Sequence, residues 1–143
     1  MPGLRTYDLF ISHAWDYSDA YQRAVGLLNR SDYFSWRNYS APHARPAVPA
    51  GRRVTKTELT QELKDQIRGT HAVIVIAGMY VAHSDWIQAE INIALEWRKP
   101  IIGLQPRSAI RTPSAVSAAA VEVVGWTSTS LVGAVRRHAL AGT

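Results

Sequence analysis

The sequence predicts an α/β fold, a flavodoxin-like three-layer sandwich around a five-stranded parallel sheet of order 2-1-3-4-5. Two observations carry this. Strand-like and helix-like patterns alternate along the 143 residues, which is the signature of a parallel sheet covered on both faces. The stretch His71–Ala77 is an almost continuous β-branched run with glycines at 69 and 78 on either side, as expected of a central strand buried on both faces.

The first strand is Arg5–Ser12, RTYDLFIS, short, apolar and aromatic. A helix follows over Asp16–Arg30, with Tyr17, Tyr21, Ala24, Val25 and Leu28 at helical spacing and Asp16 able to cap it. Tyr33–Tyr39 alternates and is rich in aromatics, so it reads as the second strand. The second helix starts at Thr55 or Thr57; Glu58 in its first turn favours Thr57, and Gly69 stops it after Arg68. The third strand is His71–Ala77. The third helix is Ser84–Trp97, and the Lys99-Pro100 break leads into the fourth strand, Pro100–Leu104. Residues 107–120 read as a long connection of small residues, Val121–Gly125 as the fifth strand, and Ser128 or Ser130 as the cap of a last helix running through Leu140. With no internal repeat and no domain-length linker, residues 1–143 are expected to form a single domain. In the order 2-1-3-4-5 the switch point falls between strands 1 and 3, and ligands bind in such crevices.

The third helix contains an anomaly. At about 100° per residue, Asp85, Gln88, Asn92, Glu96 and Lys99 share a wet arc. Ile87, Ile91, Ala94 and Leu95 lie opposite, and Trp86, Ile93 and Trp97 extend that apolar side. Glu90 falls inside it. Burying a carboxylate is costly without compensation, so Glu90 either has a structural partner or lines a cleft. It sits about a turn and a half into the helix, and helical side chains tilt toward the N-terminus. Its carboxylate can therefore reach the crevice between strands 1 and 3, where the loops beginning Ser12-His13-Ala14-Trp15 and leading through Tyr80 and Ser84 converge.

Composition narrows the chemistry. Apolar content of 47% with five Trp indicates a packed globule. The absence of cysteine excludes disulfides, thiolate metal sites and a thiol nucleophile. No apolar run approaches the length of a membrane span and MPGLRTYDLF lacks a signal-peptide core, so a cytoplasmic location and no membrane partner are expected. The net charge is +5, and Arg37, Arg45, Arg52 and Arg53 lie in a segment without acids, punctuated by Pro. Such a loop suits a phosphate-bearing ligand or an acidic surface, or is simply solvated. No nucleic-acid partner is expected, since the cations form no stripe and no recognition signature is present.

Several reaction classes fail on their motifs. A phospho-receiver needs an acidic pair after strand 1 and an Asp ending strand 3, whereas strand 1 ends Ser12-His13 and strand 3 ends Ala77-Gly78. There is no Walker A loop, no GxGxxG and no GxSxG elbow. His13, His43, His71, His83 and His138 show no metal-ligand spacing, so no metal and no cofactor are expected. One reaction needs little beyond a single carboxylate, the cleavage of an N-glycosidic bond to a cationic base. Release of nicotinamide from NAD passes through an oxocarbenium-like ribose that a carboxylate stabilises. The base departs neutral, without a strong general acid. NAD would then be a substrate.

The chain resembles a TIR domain. Tyr7-Asp8-Leu9-Phe10-Ile11-Ser12-His13 is similar to the family's first box, and Pro49-Ala50-Gly51 sits where TIR domains carry a Pro-Gly. Ser84-Asp85-Trp86-Ile87-Gln88-Ala89-Glu90 resembles the S-x-W-C-x-x-E box, whose Glu is catalytic in NAD-cleaving members. Ile87 in place of Cys, Gly78 in place of Ser and the inserted Ala50 are departures. Within TIR proteins, Ser12–Asp16 together with Phe34–Ser40 and Pro42 looks like the TIR-like subunit of the bacterial Thoeris anti-phage system. That resemblance implies an enzyme, triggered by an unknown phage component, that converts NAD into a cyclic ADP-ribose isomer. This diffusible product then activates a separate effector. It also implies association with other TIR protomers on activation. Glu90 is the implied catalytic carboxylate. Ser12 and His13 line the nicotinamide-ribose side or merely pack the strand end. Trp86 is a cleft wall or a core aromatic. Asn38 and Tyr39 are candidate ligand contacts, with Tyr39 alternatively filling the core. Two other classes remain open: a non-catalytic TIR interaction module, and a nucleoside deoxyribosyltransferase-like enzyme. Nicotinamide release from NAD separates the first from an NAD-cleaving enzyme, and base exchange on deoxynucleosides would expose the second.

Overall fold

A computed structural model describes residues 6–12, 19–39, 64–76, 84–105 and 114–139. Five strands, β1 (Thr6–Ile11), β2 (Ser35–Asn38), β3 (Ala72–Ile76), β4 (Ile101–Gln105) and β5 (Glu122–Gly125), form one sheet of order β2-β1-β3-β4-β5. Every neighbouring pair is parallel. The described helices are α1 (Asp19–Asn29), α2 (64–68), α3 (Ser84–Glu96), α4 (Ser114–Ala119) and α5 (Ser128–His138). This is the flavodoxin-like arrangement, with the strand order the alternation predicts.

Neighbouring residues on β2 show the two covering layers. Asn38 Nδ2 donates to the Tyr21 hydroxyl of α1 at 2.9 Å, and Trp36 Nε1 donates to Asn29 Oδ1 at 2.8 Å. Tyr39, of opposite parity, lies against Gly69 at the end of α2. On that second face Gly103 of β4 lies under Val116 of α4: a Cβ there would meet Val123 at 3.1 Å and Val116 at 3.3 Å. So α1 and α5, which pack on each other, cover one face; α2, α3 and α4 cover the other. All five residues of β3 are buried, and so are Leu9, Phe10 and Ile11 of β1. Central parallel strands bury both faces, which is why these read as continuous rather than alternating apolar runs.

Four expectations change. Strand 2 starts at Ser35, not Tyr33. Tyr33 has φ 59° and is 80% exposed, so a left-handed turn sends to solvent a residue that alternation assigns to the strand, and its carbonyl accepts from Arg136 Nη2 at 3.0 Å. The connection 107–120 contains α4, whose sequence SAVSAA is too uniformly small to show an amphipathic pattern. The last helix is capped by Thr127, not Ser128 or Ser130. Its extended backbone (φ −135°, ψ 150°) lets Oγ1 accept from Ser130 N at 3.1 Å. Finally, Leu95 is 52% exposed and Trp97 41%, although both were placed on the apolar side of α3. The predicted Asp16 cap and the start of helix 2 lie outside the described residues.

The end of α3 explains Trp97. Arg98 has φ 56°; Arg98 N donates to Leu95 O at 3.1 Å and Lys99 N to Ala94 O at 2.8 Å. These paired bonds form a Schellman motif with an Arg where Gly is usual. Trp97 thus leaves the helix in the turn, with the Arg68 guanidinium 5.9 Å above its ring. Burial holds the neighbouring Lys99 ammonium below its ordinary pKa. A Cβ in the left-handed region costs about 1–2 kcal/mol, partly offset by the flexibility glycine gives the unfolded chain. Arg98→Gly is therefore expected to stabilise the fold by about 0.5–1 kcal/mol, read as a higher urea midpoint with an unchanged slope.

β5 is tied to α5 by charge. Glu122 Oε2 accepts from Arg137 Nη2 at 2.7 Å, and Oε1 from Arg137 Nε at 3.2 Å and lies 2.9 Å from His138 Nε2. The bonds from Arg137 first, then His138, hold the Glu122 carboxyl below its ordinary pKa. A depressed carboxylate stabilises the fold above its unfolded value, about pH 4.3, and that contribution disappears as pH falls through the lower folded value. The cluster is largely solvated, so Glu122→Gln is expected to cost at most about 1 kcal/mol at neutral pH. That difference from the parent protein should vanish in thermal melts at acid pH.

Candidate active site

At the switch point β1 stops before β3 does. The register pairs Leu9 with Ala72, Phe10 with Val73 and Ile11 with Ile74. Ser12 N still donates to Ile74 O at 2.8 Å. Beyond that the next acceptor is a side chain: Ile76 N donates to Ser12 Oγ at 3.2 Å. Ser12 is fully buried at this edge.

Glu90 is 1% exposed, as its place on the helical wheel requires. It shares the sheet-facing side of α3 with Ile87 at 0%, Ile91 at 1% and Ala94 at 0%. The helix starts near the C-terminal edge of the sheet and runs back antiparallel to β3, because β4 is parallel to β3. Trp97, just past the end of the helix, lies under Arg68 of α2. Leu95 is exposed because it lies on the other flank, beside Gln88. The buried arc is centred between Glu90 and Ile87, not on Ile91 and Leu95.

The remaining candidates separate. Asn38, at the end of β2, donates to Tyr21 on the α1 face, away from α3. Tyr39 lies on the same face as α2, with its hydroxyl donating to Asp8 Oδ2 at 3.3 Å. Asp8, 6% exposed, is gripped by Arg37 through Nε at 2.6 Å and Nη2 at 2.9 Å. Those bonds, and the Asp8 charge behind them, raise the Arg37 pKa further above its ordinary value. Arg37 is thus engaged with Asp8 rather than with a ligand phosphate. Asp8 is thus paired within the first half of β1. At the same end of β1 the Asp8 N–H donates to His71 Nδ1 at 2.9 Å, and His71 N donates to Asp8 O at 2.6 Å. No pattern in the sequence marks His71 for this role, because it depends on register across 63 residues. His13, Arg45, Arg52, Arg53 and Pro49-Ala50-Gly51 lie outside the described residues, as do the two loops expected to wall the crevice. Trp86 falls in the first turn of α3, with its side chain outside the described part.

Among the described residues no group of three or more His, Asp or Glu is placed to hold a metal ion. No described helix is long and apolar enough to cross a membrane.

Comparison with known proteins agrees with this architecture. A solved structure, described as the crystal structure of a conserved protein from Enterococcus faecalis V583, superposes with a TM-score of 0.61. It covers 93% of this chain and 99% of that one at 8% sequence identity, a likeness that bears on the fold alone. No curated protein matches the sequence. Residues 10–111, well over half the chain, match the family model described as Thoeris protein ThsB, TIR-like domain. That span takes in the edge of β1 at Ser12, all of β3, and α3 with Glu90. The chain belongs to the TIR-like domain family of the Thoeris protein ThsB.

Proposed function

We propose that this chain cleaves the nicotinamide N-glycosidic bond of NAD and passes the ADP-ribosyl group to a hydroxyl of the same molecule. The product is a cyclic ADP-ribose type messenger for a separate effector. NAD is the substrate and no cofactor takes part. The observation that carries this reading is the burial of Glu90 on the sheet-facing side of α3, in a chain of the Thoeris TIR-like family. An acid is costlier to bury there than an apolar residue of the same size, as expected of a group kept for its charge.

The chemistry follows from the charge. As the bond to nicotinamide breaks, the positive charge of the pyridinium moves onto the ribose C1′–O4′ unit. A carboxylate fixed against that ribose in a water-poor site stabilises it more strongly than solvent would. Glu90 can also accept hydrogen bonds from ribose hydroxyls. Exclusion of water lets an internal hydroxyl capture the cation in place of hydrolysis.

Glu90 is covered, with 1% of its surface exposed. A ribose reaches it only when that cover moves, so the reading includes a low resting activity and an activating event, the phage trigger. Association with other TIR protomers is one way to hold the open form. His13 and Trp86 are the proposed lining of the nicotinamide-ribose side, with Ser12 beside them at the end of β1, and Asn38 and Tyr39 more distant contacts.

Incubation of the purified chain with NAD, with and without lysate from phage-infected cells, tests this. Free nicotinamide together with an isomer of ADP-ribose lacking one water is the expected outcome. No nicotinamide under either condition would leave the chain a non-catalytic interaction module. Base exchange on deoxynucleosides without NAD consumption would instead indicate the deoxyribosyltransferase class.

A further inference from the structure

We infer that Ser12 is a positioning residue, a side-chain clasp that ends the β1–β3 pairing and sets the width of the crevice at the switch point. The inference rests on the proposed NAD-cleaving site for its functional half and on the geometry of the two strands for its structural half.

In a parallel ladder each residue of the bonding parity donates to one residue of the neighbouring strand and accepts from the residue two further on. Ser12 N donates to Ile74 O at 2.8 Å. The in-register continuation would be Ile76 N–H to the Ser12 carbonyl. The Ser12 hydroxyl takes that N–H instead, at 3.2 Å. Two consequences follow. The last N–H of β3, fully buried with its residue, keeps an acceptor, which avoids the cost of an orphaned buried donor. The Ser12 carbonyl takes no part in that bond, so the backbone pairing of β1 with β3 ends at Ser12. Divergence of adjacent strands at their carboxyl ends is what opens a crevice in a sheet of this order.

The other end of the same strand pair is closed in the same manner. His71 Nδ1 accepts the Asp8 N–H at 2.9 Å, so side chains bracket the β1–β3 ladder at both limits. The hydroxyl suits the C-terminal limit because it is short: Ser12 is 0% exposed, and a longer acceptor would occupy the gap it defines. A direct role in holding substrate would need the Ser12 oxygen turned toward the ligand; in this geometry it is turned to Ile76. The residue therefore acts on NAD through the position of β3, whose exit leads into the helix that carries Glu90.

The test uses the full chain with Ser12→Ala and Ser12→Thr, the latter retaining the hydroxyl. Amide hydrogen exchange of Ile76 is read by NMR beside that of Phe10 and Ile74. Ser12→Ala is expected to speed exchange at Ile76 by about tenfold or more while the other two amides stay protected. Ser12→Thr should restore the protection. In the triggered NAD reaction, Ser12→Ala should raise KM about tenfold with kcat changed less than about threefold, as for a widened site. Unchanged Ile76 exchange in Ser12→Ala overturns the clasp, whatever happens to turnover. Faster exchange with an unchanged KM overturns its positioning role. If the parent chain releases no nicotinamide at all, the NAD-cleaving reading fails, and the exchange result still decides the clasp.

Discussion

Glu90→Gln is expected to lower the triggered rate of nicotinamide release by about 100–1,000-fold, the usual cost of removing one electrostatic stabiliser of a developing charge, while the protein stays folded. The two side chains have nearly the same shape, so the packing of the buried face of α3 survives. Glu90 is 1% exposed, and a neutral amide costs less to bury than a carboxylate. The melting temperature of Glu90→Gln should therefore equal or exceed that of the parent chain. This pairing of lost turnover with unchanged or raised stability is what separates a carboxylate kept for chemistry from one kept for packing. A structural acid would show the opposite pattern, a lower melting temperature with activity falling only as far as the folded fraction falls.

The second large effect is on stability alone. Ile74 is fully buried in β3, paired with Ile11 on one side and Ile102 on the other. Ile74→Ala should cost about 3 kcal/mol, the sum of lost transfer energy and an unfilled cavity between two strands that cannot collapse toward each other. For a chain of this size that is a fall of about 10 °C in melting temperature. Ile74→Val, which removes one methylene group, should cost about 1 kcal/mol. A substitution at Val123, 37% exposed on the edge strand β5, should shift the midpoint far less. Calorimetry on the three variants checks the ordering, and equal effects at Ile74 and Val123 would contradict the placement of the core.

The element order and the burial of Glu90 were legible in the sequence because both rest on periodicity, which is local. The run AVIVI needs no neighbour to read as a buried strand, and Glu90 falls inside an apolar arc whatever the helix packs on. What periodicity cannot supply is where the sheet lies around the helix. Leu95 shares the apolar half of the wheel with Ile91, yet the sheet covers the Glu90 flank with Ile87 and Ala94 and leaves Leu95 exposed. Tyr33 continues an alternation that the backbone breaks with a positive φ. Thr127 is one of several hydroxyl residues in TSTS, and only the backbone angles select it.

The polar ties were the least legible. Arg37 with Asp8, His71 with Asp8, and Ser12 with Ile76 join residues 29, 63 and 64 positions apart. Each depends on strand register, which no local pattern encodes. The same is true of the division of labour at the end of β2, where Asn38 and Tyr39 turn to opposite faces of the sheet.

The most direct test of Glu90 is a crystal structure of the triggered chain with carba-NAD, in which a methylene replaces the ring oxygen of the nicotinamide-side ribose and the bond cannot be cleaved. The ribose hydroxyls are predicted to lie about 3 Å from the Glu90 carboxylate, at the gap where β1 ends beside β3. A dinucleotide bound elsewhere on the molecule, with Glu90 still buried, would contradict the account.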